Sequence, residues 1–220
     1  MKSAAETRSV IEALSHQHPE ADTELHYRNA FELLAATILS AQATDAGVNK
    51  VTPALFAKFP DARALAGAPA EEVEALIHST GFFRQKAKAL TGMSRALVER
   101  HGGEVPRTRA DLEALPGVGR KTANVVLNTA FGEPTMAVDT HIFRVANRTR
   151  IAPGKTPLAV EQGLIKWVPK AFQHDAHHWL ILHGRYVCTA RKPACPTCLI
   201  RDLCEYPDKT RGPDPRPGST

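Results

Sequence analysis

Four cysteines form the densest group of reactive side chains in this 220-residue sequence. Cys188, Cys195, Cys198 and Cys204 lie within 17 residues, and the chain has no other cysteine. The spacing C-x6-C-x2-C-x5-C has one close pair and two wider arms, whereas zinc sites usually have two close pairs and ferredoxin runs are shorter. A cytosolic context disfavours disulfides. The pattern therefore predicts a four-thiolate metal centre and leaves the metal open.

A glycine-containing turn with two basic residues is the second segment that could do chemistry. Gly117 and Gly119 precede a helix predicted from Arg120, so backbone N–H groups there are expected to point outward and to bind phosphate. The amine of Lys121 can form a Schiff base when it is unprotonated. Arg120 and the positive end of the predicted helix would be expected to favour the unprotonated amine. A lysine that only binds phosphate is the alternative.

A carboxylate follows this lysine at a distance that the chain can close. Asp139 lies 18 residues after Lys121. The helix between them would be about 16–18 Å long, and residues 132–138 can extend about 23 Å. Asp139 could therefore return beside Lys121, where it would activate the amine or stabilise positive charge on a sugar. A plain helix N-cap is the alternative, and the two roles are compatible.

Several motifs together resemble the endonuclease III family of DNA glycosylases. Leu-Pro-Gly-Val-Gly followed by Thr122-Ala123 is typical of the helix-hairpin-helix element of DNA-binding proteins. The resemblance extends through Leu-Ser-Ala-Gln-Ala-Thr-Asp at 39–45, residues 115–131, Ala-Val-Asp-Thr-His-Ile-Phe-Arg at 137–144, and residues 178–204. It covers most of the chain apart from the C-terminal tail.

This resemblance implies roles for the residues that the patterns single out. It makes Lys121 the nucleophile and Asp139 the catalytic aspartate, and it implies that the four cysteines hold a [4Fe–4S] cluster. It also suggests that the carbonyls of Glu113, Leu115 and Val118 hold a monovalent cation against a DNA phosphate. Gly117, Gly119 and Arg120 are then DNA-binding residues.

Flipping a nucleotide out of DNA leaves a gap that the enzyme must fill. The family's gap-filling position corresponds to Gln42, and its apolar wedge corresponds to Phe82, although many relatives carry an aliphatic residue there. Core packing is the alternative for Phe82, and Phe83 is assigned to the core. We assign His141 and Asp45 to the base pocket.

Positive charge is concentrated in the C-terminal part of the chain. The formal net charge is +5, made up of −2 over residues 1–99 and +7 over residues 100–220, so the second part is suited to a polyanion. A cluster that fixes both ends of the loop after Cys188 would present Arg191 and Lys192 as a phosphate clamp. A solvated charged loop is the alternative. An oxidised cluster with four thiolates has charge −2, which gives a net charge of +3.

Composition excludes several classes of protein. Hydrophobic residues make up 43% of the chain, too many for a disordered protein. The longest run without a charged side chain is 12 residues, 33–44, against roughly 18 for a membrane span. No signal peptide is recognisable in residues 1–20. His174, His177 and His178 have helical spacing but lack an acidic metal-site partner. These features predict a cytoplasmic protein, and the resemblance to DNA glycosylases implies that it is associated with the nucleoid.

Apolar periodicity predicts an all-α fold. Asn29 and Glu32 suggest a capping box for the helix that contains Phe31. Further helices are predicted over 46–56, 70–77, 83–100, 120–131, 139–147, 156–168 and 174–187, with a short one between Thr108 and Leu115. With the resemblance, this predicts two lobes: a six-helix bundle over 22–131 that includes the hairpin at about 108–131, and a cluster domain of 1–21 plus 132–205. Residues 206–220 are expected to form a flexible tail.

The predicted activity is bifunctional base excision. Lys121 would displace an oxidised pyrimidine flipped out of double-stranded DNA, and β-elimination would cut the strand 3′ to the abasic site. A monomer is expected. Adenine-mismatch glycosylases are one alternative, although they usually lack this lysine and carry an extra C-terminal domain. A DNA-binding module without catalysis and a cluster-based redox sensor are the others.

Overall fold

The computed structural model describes residues 1–211, and this part of the chain is helical without a strand. Eleven α-helices occur within it. In chain order they are α1 Ala4–Gln17, α2 Ala30–Leu39, α3 Asp45–Lys58, α4 Ala62–Ala66, α5 Ala70–Ile77, α6 Phe83–His101, α7 Arg109–Glu113, α8 Arg120–Phe131, α9 Thr140–Thr149, α10 Pro157–Trp167 and α11 Gln173–Leu182. Short 3-10 turns and a π-helical segment, His183–Val187, complete the set. The all-α prediction is confirmed.

Local capping signals explain most helix starts. Ser3, Thr44, Asp61, Thr108 and Thr156 each accept a hydrogen bond from the backbone N–H three residues further on. This bond satisfies a donor that has no partner inside the helix. Each of these helices therefore begins where its sequence places a short polar side chain.

The capping box predicted for α2 is only half formed. Asn29 Oδ1 accepts from the backbone N–H of Glu32 at 2.9 Å, as predicted. The Glu32 carboxylate does not return the bond to Asn29; it accepts from the backbone N–H and the guanidinium of Arg28, both at 2.8 Å. A charge-assisted hydrogen bond to a guanidinium is stronger than one to a neutral N–H. The buried carboxylate of Glu32 therefore binds Arg28 instead of the backbone N–H of Asn29.

The helix predicted over 174–187 changes character near its end. After Leu182 it continues as the wider π-helix His183–Val187. Gly184 lies against α9, where a Cβ would be only 2.8 Å from the Cβ of His141. The Gly184 carbonyl accepts from Arg144 Nη2 of α9 at 2.7 Å. A π-helical turn leaves carbonyls available for such bonds.

The helices pack into two compact units. One unit is Thr23–Glu133, and the other combines Met1–Asp22 with the chain from Pro134 onward. The core of the first unit is built mainly from α2, α3, α5, α6 and α8. In the second unit, α1 packs against α11, and both contribute buried side chains to one core, including Val10, Leu14 and Leu180. Compactness does not show independent folding, so the domain boundaries stay a prediction.

Part of the segment predicted as a flexible tail contacts the cysteine loop and Arg148. Thr210 Oγ1 donates to the carbonyl of Pro193 and accepts from the backbone N–H of Cys195. The guanidinium of Arg148 lies 4.3 Å from the centre of the Tyr206 ring. Residues 206–210 therefore pack on the cysteine loop, and residues 212–220 lie outside the described part. None of the helices in residues 1–211 has the length and hydropathy of a membrane span.

Candidate functional site

The turn between α7 and α8 is held close to α6 by two buried apolar residues and one glycine. Leu115 and Val118 are buried, and the Val118 N–H donates to the Leu115 carbonyl at 3.1 Å. Gly117 has φ +77°, and a Cβ there would lie 2.6 Å from the Cβ of Ala89. Both the backbone angle and the contact require glycine at this position. The turn is thus fixed in shape up to the first residue of α8.

The start of α8 presents polar groups to solvent. Gly119 is its N-cap residue, and no side chain of residues 1–211 caps this helix. Arg120 and Lys121 follow in the first turn, and both are exposed. N–H groups at a helix start, together with the helix dipole, attract anions. The arrangement can receive a phosphate beside the Lys121 amine.

Asp139 caps the next long helix. Its Oδ1 accepts from the backbone N–H groups of His141 at 2.9 Å and Ile142 at 2.8 Å, and the residue is half-buried. The N-cap role is therefore confirmed, and the catalytic role stays a prediction. Lys121 belongs to one compact unit and Asp139 to the other, so their approach also stays a prediction.

The two residues assigned to the base pocket have different surroundings. His141 is half-buried, and its Nδ1 lies 3.2 Å from Arg144 Nη2. Because a guanidinium only donates, Nδ1 accepts this bond, which leaves the proton of the neutral ring on Nε2. Asp45 is the first residue of α3 and is half-buried. Their pocket role stays a prediction.

Gln42 and Phe82 share an uncommon backbone conformation. In residues 1–211 only Gln42, Phe82 and Arg150 combine a positive φ with a side chain, with values of 55°, 47° and 66°. Strained backbone of this kind is often found at functional sites. Phe82 is 59% exposed, so core packing is wrong for it, whereas Phe83 packs against the core of its unit. Sequence reasoning gave no sign of this backbone.

The four cysteines surround one cavity. All are free thiols and half-buried, and they line it together with Ile200, Tyr206 and other residues. Burial raises the pKa of the Cys198 and Cys204 thiols, and the other cysteines add to the effect. No three His, Cys, Asp or Glu residues in positions 1–211 are arranged to hold a single metal ion. Four sulfurs around a shared, shielded space fit a multi-iron cluster, whose positive iron ions offset the thiolate charges.

Arg148 holds the loop between Cys188 and Cys195 through hydrogen bonds to its backbone. Its Nη1 lies 3.4 Å from Cys188 Sγ, and its guanidinium donates to the carbonyls of Thr189 at 2.7 Å and Ala190 at 2.9 Å. Arg191 and Lys192 are exposed on this loop. Sequence reasoning missed Arg148, because nothing local distinguishes it from Arg144, the other arginine of its helix.

Comparison with known proteins places these features in one family. Residues 35–170 match the HhH-GPD superfamily of base excision DNA repair proteins, and residues 188–204 match the iron–sulfur binding domain of endonuclease III. Endonuclease III of Haemophilus influenzae is 56% identical over 200 residues, covering 91% of this chain and 95% of that protein. Endonuclease III of Escherichia coli is 54% identical over 205 residues, covering 93% and 97%.

Solved structures agree with the sequence relatives. A trapped endonuclease III–DNA covalent intermediate superposes with a TM-score of 0.88 at 44% identity, covering 93% of this chain and 96% of that one. A non-covalent endonuclease III–DNA complex gives the same TM-score at 45% identity and the same coverage. A thermostable thymine-DNA glycosylase gives 0.83 at 26% identity, covering 92% and 96%.

Proposed function

The chain belongs to the endonuclease III family of HhH-GPD base excision DNA repair proteins, and we propose how its own residues carry out the reaction. It is a bifunctional DNA glycosylase and AP lyase that carries a [4Fe–4S] cluster and acts on double-stranded DNA. Its substrate is an oxidised pyrimidine flipped out of the duplex. We place this activity in the cytoplasm at the nucleoid, and we propose that the protein acts as a monomer.

Lys121 is the nucleophile of the proposed mechanism. Its amine forms a bond to the anomeric carbon of the deoxyribose while the glycosidic bond breaks, and the base leaves with the bonding electron pair and takes a proton. The amine loses a proton in this step, and Asp139 accepts it. The sugar ring then opens to a Schiff base on Lys121. Water later hydrolyses this Schiff base and frees the lysine.

Strand cleavage follows from the Schiff base. Loss of a proton from the sugar carbon next to the Schiff base expels the 3′ phosphate, which leaves with the electron pair of the broken carbon–oxygen bond. Positively charged nitrogen at the Schiff base acts as the electron sink for this β-elimination. The strand is therefore cut 3′ to the abasic site by elimination, and no water attacks the phosphate.

Several backbone and side-chain groups are proposed to hold the DNA. The N–H groups of Gly117 and Gly119 bind a phosphate with Arg120, and the carbonyls of Glu113, Leu115 and Val118 hold a monovalent cation against it. Gln42 fills the gap left by the flipped nucleotide, and Phe82 inserts at the opposite strand. His141 and Asp45 line the base pocket.

Cys188, Cys195, Cys198 and Cys204 would hold the cluster. When bound, it joins the ends of their loops through iron–thiolate bonds, which restricts the loop that carries Arg191 and Lys192. These two side chains are proposed to clamp a second phosphate of the DNA backbone. The cluster has no step in the proposed chemistry.

The exposed position of Lys121 in the uncapped first turn of α8 is the observation that carries this proposal. Borohydride reduction on a duplex with an oxidised pyrimidine tests it, because it converts the Schiff base into a stable covalent adduct. We expect an adduct with the wild-type protein and none with Lys121→Ala. Lys155→Ala, at another exposed lysine, is the control and should keep the adduct. An undiminished adduct with Lys121→Ala would refute the nucleophile assignment.

A further inference from the structure

Lys86 is a buried lysine on the apolar face of α6. Phe83, Ala87 and Leu90 lie on the same helical face, and Lys86 is only 5% exposed. Burial lowers the pKa of its amine. An ammonium removed from water is unfavourable unless its donors find partners. The side-chain nitrogen of Lys86 therefore needs an acceptor inside the protein.

Lys86 forms hydrogen bonds to the backbone before and after the peptide bond between Gly81 and Phe82. Lys86 Nζ donates to the carbonyl of Thr80 at 2.7 Å, and the backbone N–H of Lys86 donates to the carbonyl of Phe82 at 3.0 Å. Thr80 is itself 4% exposed, and its hydroxyl donates to the carbonyl of Ile77 at 2.8 Å. The backbone on either side of Gly81–Phe82 is thus tied to a single residue of α6.

The dipeptide between these bonds has an unfavourable backbone. Gly81 has φ 69° and ψ 156°, and Phe82 has φ 47° and ψ 30°, in the left-handed region. A residue with a Cβ is disfavoured there unless its surroundings impose the conformation. The exposed Phe82 ring does not hold the backbone by packing, since 59% of the residue is accessible. The bond from Lys86 Nζ to the Thr80 carbonyl supplies a constraint on this backbone. The bond from the Lys86 backbone N–H to Phe82 is the ordinary first bond of α6, which any residue at this position would make.

We propose that Lys86 is a positioning residue for Phe82: through its side-chain bond to the Thr80 carbonyl, it fixes the left-handed turn that presents the Phe82 ring for insertion into DNA. This proposal rests on the insertion role proposed above for Phe82. Lys86 touches neither the DNA nor the reacting atoms. Its ammonium acts through the turn, so its contribution to activity exists only while the Phe82 ring is present.

Hydrogen exchange of the DNA-free holoprotein tests the first half of the proposal. Lys86→Met keeps the length of the side chain and removes the donor. We expect backbone amides in 80–83 to exchange about tenfold faster in this variant, because the turn opens locally more often. Lys88→Met, at an exposed lysine on the same helix, is the matched control and should leave them unchanged. Unchanged exchange in Lys86→Met would overturn the proposal.

A double-mutant cycle with Phe82→Ala tests the second half. Single-turnover base release should fall about tenfold in Lys86→Met, since a displaced group near the reaction can cost up to 10²-fold. The same change in the Phe82→Ala background should have no further effect. An equal loss in both backgrounds would overturn the positioning role. If Phe82→Ala alone leaves base release unchanged, the insertion role fails, whereas faster exchange in Lys86→Met would still show that Lys86 holds the turn.

The double-mutant cycle also needs a control that shows that the Lys86 variants remain folded. Urea unfolding of Lys86→Met is expected to show a single cooperative transition with a modest loss of stability, because the substitution leaves the buried Thr80 carbonyl without its donor. Lys86→Gln provides a second variant that retains a donor, and it should recover part of the exchange protection. No recovery in a fully folded Lys86→Gln, at the same exchange rate as Lys86→Met, would count against the Thr80 bond.

Discussion

The helices α8 and α9 begin in opposite ways, although each begins beside a residue assigned to catalysis. α8 follows Gly119, and within residues 1–211 no side chain caps its first turn. α9 follows Asp139, whose carboxylate takes up two N–H groups of the first turn. One helix start is left open for an anion from outside, and the other is closed by an anion of the protein.

The difference shows how one backbone feature serves two purposes. At α8 no side chain of residues 1–211 caps the first turn, so a phosphate bound there would lie next to Lys121. At α9 the N–H groups hold Oδ1 of Asp139, so they fix the direction of its carboxylate. The open end is suited to binding, whereas the closed end is suited to orienting a catalytic group.

Separating the cap of α9 from its charge should have the largest effect. Asn caps helices about as well as Asp, so Asp139→Asn should unfold within about 0.5 kcal/mol of the wild-type free energy. Base release should nevertheless fall about 10²–10⁴-fold, the usual share of general acid–base catalysis. Asp139→Ala should also lose about 1 kcal/mol of stability. Single-turnover kinetics measure the rate of base release, and urea unfolding measures the stability of the two variants. Full activity in Asp139→Asn would show that Asp139 only caps α9.

Closing the open end of α8 should weaken DNA binding. Nothing lies within 4 Å of a Cβ built on Gly119, so a side chain fits there. Gly119→Asp should cap α8 but repel a phosphate, which raises the Kd for DNA roughly 10–100-fold. Gly119→Ser caps without charge and is the control. Fluorescence anisotropy at one fixed salt concentration measures the difference, and equal Kd values for the two variants would exclude a phosphate at this helix start.

The two glycines of the hairpin should differ in stability. Gly117→Ala meets both a positive φ and the Cβ of Ala89 at 2.6 Å, so it should cost about 1–3 kcal/mol. This corresponds to a fall in Tm of about 2–4 °C per kcal/mol for a chain of this size. Gly119→Ala, which meets neither obstacle, should change Tm far less. Thermal unfolding followed by circular dichroism compares them, and equal Tm values would contradict the close approach to α6.

An ordinary helix cap should have the smallest effect. Thr156 caps α10 through a bond from the Ala159 N–H at 3.2 Å, and no role in DNA binding is assigned to it. Thr156→Ala should cost about 1 kcal/mol of stability. The Kd for DNA should stay at the wild-type value, measured by the same anisotropy assay. A higher Kd for DNA in Thr156→Ala would mean that any lost helix cap weakens DNA binding by lowering stability. The proposed functional difference between the starts of α8 and α9 would then have no support from the DNA-binding data.

Most of the helices could be predicted because their signals are local. Thr108, Asp139 and Thr156 stand directly before apolar periodic segments, and each caps the helix that follows. Glycines at 102 and 132 end α6 and α8 in the left-handed conformation. The five-residue helix α4 was missed, since it is too short to show a helical period. Its cap, Asp61, was the one available signal.

Features that depend on distant contacts could not be predicted in this way. The π-helical segment requires Arg144 and His141 of another helix, and the Arg28–Glu32 pair required knowing which side of α2 is buried. In the candidate site, motifs led to the roles predicted for Lys121 and Asp139, which stay predictions. Arg148 became visible only through its bonds to the cysteine loop. The sequence contains one signal for Lys86, which is a charged residue at a position of α6 where the apolar period places the core.

The path of the chain through its two units also orders events during synthesis. The unit Thr23–Glu133 is one continuous segment, whereas α1 must wait for its partner α11. About 155 residues separate the two helices, which is roughly 8–30 s of translation at 5–20 residues per second. Cys204, the last cluster ligand, emerges later still. The hairpin is therefore synthesised well before Cys204 completes the set of four cysteines, so a cluster bound to all four can be loaded only at the end of synthesis or after it.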